Sequence, residues 1–146
     1  MDYMRLALEE AHKAAVEGEI PVGAVMVKDG KVIAAAHNRR ENDHDPTAHA
    51  EMLCMRQAAK ALGDWRLRGC TLYVTLEPCP MCAGAMVMSQ LGQCVYGAAD
   101  EKQGCCGSVY DMPGDPALAA STTWQSGVMA EACGQLMRDF FAGRRQ

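Results

Sequence analysis

Two short segments carry residue types suited to chemistry. His49-Ala50-Glu51 sets an imidazole and a carboxylate two positions apart, and Pro78-Cys79-Pro80-Met81-Cys82 sets two thiols three apart. Three positions on a helix turn through about 300°, so Cys79 and Cys82 are expected about 60° apart on one face, able to grip one ion. A helix N-terminus favours the thiolate, which is the form that binds metal. His49 offers a neutral imidazole as third ligand, and two thiolates with one imidazole suit zinc. Cys54 lies about 140° around the same helix from His49 and points elsewhere. His37 and His44 lack the spacing of a zinc pair. Structural zinc usually takes four protein ligands and catalytic zinc three plus water, so this set reads as a catalytic Zn2+ site. Glu51 then fits as the carrier of a proton from a water whose pKa zinc lowers to about 7. On the residues alone, a structural metal and a redox-active Cys-x-x-Cys pair stay open as alternatives.

His49 and Glu51 point about 200° apart on a regular helix. They can share a site only if His49 lies at the helix boundary, outside helical geometry, and Pro46-Thr47 just upstream favours such a boundary. The elements that must position these groups follow from periodicity. Residues 2–17 read as a helix stopped by Gly18. Val22 to Val27 and Val32 to Ala36 flank a Lys28-Asp29-Gly30 turn, which predicts a β-hairpin. A polar loop from His37 to Thr47 leads to a helix predicted over Ala48 to Leu62 and ended by Gly63. Thr71 to Leu76 reads as a strand, Pro80 to Gln90 as a short helix with proline near its start, and Gln93 to Ala98 as a strand. Asp100 to Pro116 is irregular, Thr122 to Gln125 is a short strand, and Met129 to Phe141 is the closing helix. Strands alternating with helices imply a sheet covered on both faces, here mixed, with an antiparallel edge pair beside a parallel remainder.

The chain has 146 residues, of which 49% are hydrophobic, and no repeat or linker divides it. One domain over 1–146 is expected. Lys and Arg number 14 against 18 Asp and Glu, a net charge of −4. That excludes a basic nucleic-acid coat and leaves room for a local basic patch. Eight aromatics, two Trp, four Tyr and two Phe, are too few for a broad base-stacking platform. No apolar run reaches a membrane span, and Met1 to Arg5 opens without a basic-then-apolar leader. A reducing cytoplasm is therefore expected, with Cys54, Cys70, Cys94, Cys105, Cys106 and Cys133 as small buried hydrophobes rather than disulfides. Cys105-Cys106 falls in a segment that reads as a mobile loop open to oxidation. Met81, Met86 and Met88 read as core filler.

His-x-Glu followed by Pro-Cys-x-x-Cys is the signature of zinc nucleobase deaminases. Beyond it, Pro21 to Val25, Asn38-Arg39, His44 to Glu51, Leu72 to Met86, Asp100-x-Lys102-x-Gly104, Asp139-Phe140-Phe141 and Arg144-Arg145 make the chain resemble the bacterial tRNA-specific adenosine deaminases over nearly its whole length. The resemblance implies a three-layer α/β/α cytidine-deaminase-like fold with a mixed five-stranded sheet. It implies one zinc per subunit on His49, Cys79 and Cys82, with Glu51 as proton shuttle. It implies hydrolysis of adenosine to inosine at the wobble position of a tRNA anticodon stem-loop, by a cytoplasmic homodimer with no membrane association. Asn38 would contact the target nucleoside and Asp100 would sit beside its sugar. Phe141, Arg144 and Arg145 would meet the anticodon loop. The sequence departs from the family at Arg40, where proline is common, and at Ala119-Ala120-Ser121, where Asn-His-Arg is usual. These departures keep a second reading in view, the same zinc chemistry on a free nucleobase, nucleoside or nucleotide of cytosine or guanine type. A third is a non-catalytic, zinc-stabilised RNA-binding module.

Overall fold

A computed structural model describes residues 2–144. Five strands form one sheet: β1 Gly23–Lys28, β2 Lys31–His37, β3 Cys70–Leu76, β4 Gln93–Ala98 and β5 Thr123–Gln125. Their order across the sheet is β2-β1-β3-β4-β5. β1 pairs antiparallel with β2 and β3, whereas β3, β4 and β5 run parallel. The mixed sheet expected from the hairpin and the strand-helix alternation is therefore present.

Alternation along the strands splits the core in two. Ala24, Met26, Leu72, Val74, Cys94 and Tyr96 face one side of the sheet, while Val25 and Val95 face the other. Helix α2, Ala50–Leu62, and helix α3, Pro80–Met88, cover the first face through Ala50, Cys54, Met55, Ala58 and Met86. Helix α1, Tyr3–Val16, and helix α4, Ala130–Ala142, cover the second through Met4, Ala7, Leu8 and Cys133. Three layers result. None of the described helices is long and apolar enough to cross a membrane.

Local chemistry explains the ends. The Asp2 side chain accepts from the Arg5 N–H and caps α1. Gly63 closes α2 in the left-handed region, at φ 67°. Two boundaries differ from the sequence reading by two residues, the others by one or none. α2 starts at Ala50 rather than Ala48, and α3 stops at Met88, where Gln90 turns into the left-handed region at φ 59°.

Two expectations are corrected. Cys105 and Cys106 are buried as the small hydrophobes expected, but their segment is no mobile loop open to oxidation, because the chain after Asp100 folds back onto the sheet and the Tyr96 hydroxyl donates to the Cys106 carbonyl at 2.9 Å. The Cys94 thiol packed against it is pushed well up by a hydrogen bond with Cys106 and by burial, which keeps it a thiol and unreactive. Met88 is 76% exposed rather than core, since α3 ends there and its last turn projects past the sheet; Met86 is buried as expected.

Candidate active site

The site lies where β3 ends and the N-termini of α2 and α3 converge. His49 and Cys79 are the N-cap residues of these helices, and both have extended backbone: φ −70° and ψ 153° at His49, φ −76° and ψ 176° at Cys79. His49 is thus outside helical geometry, which is the condition for it to share a site with Glu51. Cys79 and Cys82 do not meet as two residues of one helical face. Cys79 precedes the helix, and its extended backbone brings its sulfur round to Cys82 in the first turn.

His49 Nδ1 lies 3.5 Å from Cys79 Sγ and 3.6 Å from Cys82 Sγ. Around a tetrahedral ion with Zn–S of about 2.3 Å and Zn–N of about 2.0–2.1 Å, such ligand atoms would stand about 3.5 Å apart. The three donors therefore fit zinc in identity and in spacing. They are the sole group of His, Cys, Asp and Glu so clustered among the described residues. Cys54 is buried in the core away from them, and His37 is held between Glu10 and Glu17, at 3.2 and 3.0 Å.

Electrostatics favour a thiolate. A hydrogen bond with Cys82, aided by the His49 ring, pulls the Cys79 thiol down to about 4. The partner Cys82 moves up, because it keeps the shared proton and is buried. The bond with Cys79 raises His49. Glu51 is 4% exposed, and burial pushes its carboxyl up to about 7. It faces the Cys82 thiol. A carboxyl near neutrality can both take and return a proton.

Arg40, at the family departure, puts Nη1 3.3 Å from His49 Nε2. Guanidinium only donates, so Nε2 accepts in this pairing. A metal held on Nδ1 would leave Nε2 bearing the N–H, which the Arg40 guanidinium cannot accept. Asn38 is buried and fixed: Nδ2 donates to the Ile20 carbonyl at 3.2 Å, and Oδ1 accepts the Arg40 N–H. One amide hydrogen stays uncommitted. Asp100 accepts the N–H groups of Lys102 and Gln103 on Oδ1 and so shapes its own turn. Phe141 is partly exposed on α4. Arg144 is no free tail, since it donates to the Gly18 carbonyl and stacks on Phe140. Arg145 lies outside the described residues. Of the C-terminal RNA-contact candidates, Arg144 is thus placed beside the end of α1.

Sequence reasoning missed the buried carboxylates Glu10, Glu19 and Glu77. Glu19 accepts from the Glu41 and Asn42 N–H groups and from Asn42 Nδ2, bracing the segment that carries Asn38 and Arg40. Glu77, two residues before Cys79, is 2% exposed and hydrogen-bonded throughout. Its one sequence signal was a charge directly after an otherwise apolar strand.

A three-layer α/β fold with a His-Cys-Cys group over a buried glutamate defines the class, a deaminase of cytidine-deaminase-like fold. Residues 1–145 match the MafB19-like deaminase family. The tRNA-specific adenosine deaminase of Bacillus subtilis is 49% identical over 144 residues, covering 99% of this chain and 89% of that protein. A structure from work on A-to-I editing by tRNA:A34 deaminases at the wobble position of transfer RNA superposes with a TM-score of 0.89 at 42% identity, covering 92% of this chain and 97% of that one. The guanine deaminase of Nitrosomonas europaea has a TM-score of 0.83 at 26% identity, covering 96% and 83%. The chain belongs to the tRNA-specific adenosine deaminase family.

Proposed function

We propose that this chain hydrolyses adenosine to inosine at the wobble position of a tRNA anticodon stem-loop, working in the cytoplasm as a homodimer of single-domain subunits. The observation that carries the chemistry is the buried Glu51 beside three donors with zinc spacing. The 49% identity to a tRNA-specific adenosine deaminase carries the substrate.

His49, Cys79 and Cys82 would hold one Zn2+ per subunit. Zinc bound there would lower the pKa of a water and so supply a nucleophile at neutral pH. The reaction adds water at C6 of adenine and releases ammonia. Glu51 accepts one proton from the water and passes it to N1; it then takes the remaining proton of the new C6 hydroxyl and delivers it to the amine, which leaves as ammonia as the C6 carbonyl forms. Its carboxyl near 7 suits both transfers. Asn38, held rigid by the Ile20 carbonyl and the Arg40 N–H, offers its remaining amide hydrogen to the nucleoside. Asp100 faces the sugar with the oxygen its turn does not use. Phe141, Arg144 and Arg145 meet the anticodon loop. An unpaired loop base costs least to unstack and turn into a pocket.

The dimer is supported by α3, which carries no charged side chain although Met81, Gly84, Ala85 and Val87 are half-buried and Met88 is exposed. The test is incubation of zinc-loaded protein with an anticodon stem-loop carrying adenosine at the wobble position, beside free adenosine, cytidine and guanine. Inosine in the stem-loop alone is expected. Turnover of a free base or nucleoside without the stem-loop would give the small-molecule reading instead, and no turnover of any would leave a binding module.

A further inference from the structure

Glu77 directly follows β3 and stands two residues before Cys79. Its carboxylate is buried, and every bond it makes goes to one segment. Oε1 accepts the Asp100 N–H at 3.0 Å and the Ser108 hydroxyl, while Oε2 accepts the N–H groups of Cys106 and Ser108 at 3.0 and 3.1 Å. The backbone adds two ties: the Glu77 N–H donates to the Ala98 carbonyl, and the Cys105 N–H donates to the Pro78 carbonyl, both at 2.9 Å. Residues 100–108 are therefore folded around one carboxylate at the turn that presents Cys79. Gly104 fits the same arrangement, since a Cβ there would strike the Glu77 carboxylate. No lysine or arginine pairs with Glu77 among the described residues. Its charge is met by three amides and a hydroxyl, donors that come only from the folded segment.

A carboxylate needed only to fill the core would be replaced by an apolar group at little loss. Here it joins two functional pieces, the ligand turn and the segment headed by Asp100. We infer that Glu77 is a positioning residue, which fixes residues 100–108 as a wall of the site at a set distance from the metal ligands. This rests on the proposed function for what the wall contacts. It does not rest on it for the coupling itself.

Glu77→Gln replaces one acceptor oxygen by an NH2 that must face N–H donors. In the zinc-loaded variant, amide hydrogen exchange over residues 100–109 is expected to speed up about a hundredfold, with exchange in α2 and β1 unchanged. One zinc per subunit is retained. KM for the stem-loop rises about tenfold, with kcat moving less. Gly104→Ala, which attacks the same contact from the segment's side, should give the same pattern, and Ser108→Ala a weaker one. These two keep the test open should Glu77→Gln fail to fold. Unchanged exchange over 100–109, or faster exchange spread evenly over the fold, would overturn the inference. Exchange and metal content are read without substrate. A wild-type protein inert on the stem-loop would therefore defeat the proposed function and leave the role of Glu77 to be decided by exchange.

Discussion

Glu51 and Cys82 lie in contact in the same buried site and should fail in different ways. Glu51 moves protons and holds no metal in the proposed mechanism, so Glu51→Ala should retain one zinc per subunit and lose turnover by about 10²–10⁴-fold, the usual span for general acid–base catalysis. Cys82→Ala removes a ligand and should lose the metal itself. Metal analysis beside the stem-loop assay separates the two, and a zinc-free Glu51→Ala would contradict these roles. Glu19 makes a prediction in pH. Burial alone would raise its carboxyl, but the N–H groups of Asn42 and Glu41 outweigh burial and hold it below 4.5. A depressed folded pKa means that its stabilisation is complete above the unfolded value and is lost as pH falls through the folded one. Glu19→Gln should therefore be less stable than the wild type at about pH 7, and the gap should narrow in acid, at a pH below the folded value. Urea midpoints at neutral and acid pH measure it. A gap that widens in acid would show that Glu19 is not ionised in the fold.

At the scale of elements, the approach of α1 to β1 depends on one missing side chain. A Cβ at Gly23 would run into the backbone of Ala7 and Ala11 and into the Glu10 side chain. Backbone cannot swing aside as a side-chain tip can. Gly23→Ala should cost about 2 kcal/mol and lower Tm by about 6 °C. Calorimetry checks this, and an unchanged Tm would mean that α1 slides freely on the sheet. The two helix starts at the site follow a common plan. In each, the N-cap position holds a metal-type donor in extended backbone, and neither His49 nor Cys79 spends its side chain on capping. The ligands are thereby aimed past the helix ends toward one point. The N-terminal ends of both helices face it, which favours the thiolate.

For the whole molecule, the net charge of −4 sets a limit on RNA contact. Phosphate contacts of a few arginines give a shallow salt dependence, of slope about −2 for three contacts. A stem-loop titration between low and physiological salt should show it, and a slope several times steeper would reveal a basic surface that the charge balance does not suggest. The uncharged α3 makes the second prediction at this scale. Met88→Glu places a charge on its exposed end and should convert a dimer into monomers by light scattering. A monomeric wild type would remove α3 as the contact.

How far the residues alone carried the reading depends on how local each feature is. Among the described residues periodicity placed the four α-helices and the five strands, though not the short 3-10 turn at Pro116–Leu118, because burial on one face imposes a 3.6 or 2.0 period within the segment itself. The choice of His49, Cys79, Cys82 and Glu51 was also local, since metal affinity and proton transfer belong to residue types and short spacings. The geometry that joins them was not. Cys79 and Cys82 meet because Cys79 precedes its helix, whereas the spacing suggested two residues on one helical face. The fates of Cys106 and Met88 were settled by what packs on them, and that depends on contacts distant in sequence. Glu77 gave almost no signal, because its partners lie at 100, 106 and 108 and come together only when β3 and β4 lie side by side. The sequence by itself determined the chemistry available and the elements that carry it. The tertiary structure decided the convergence of the ligands, the burial that lifts Glu51 toward neutrality, and the carboxylate around which the neighbouring segment folds. These are consequences of long-range packing, and no short window of sequence contains them.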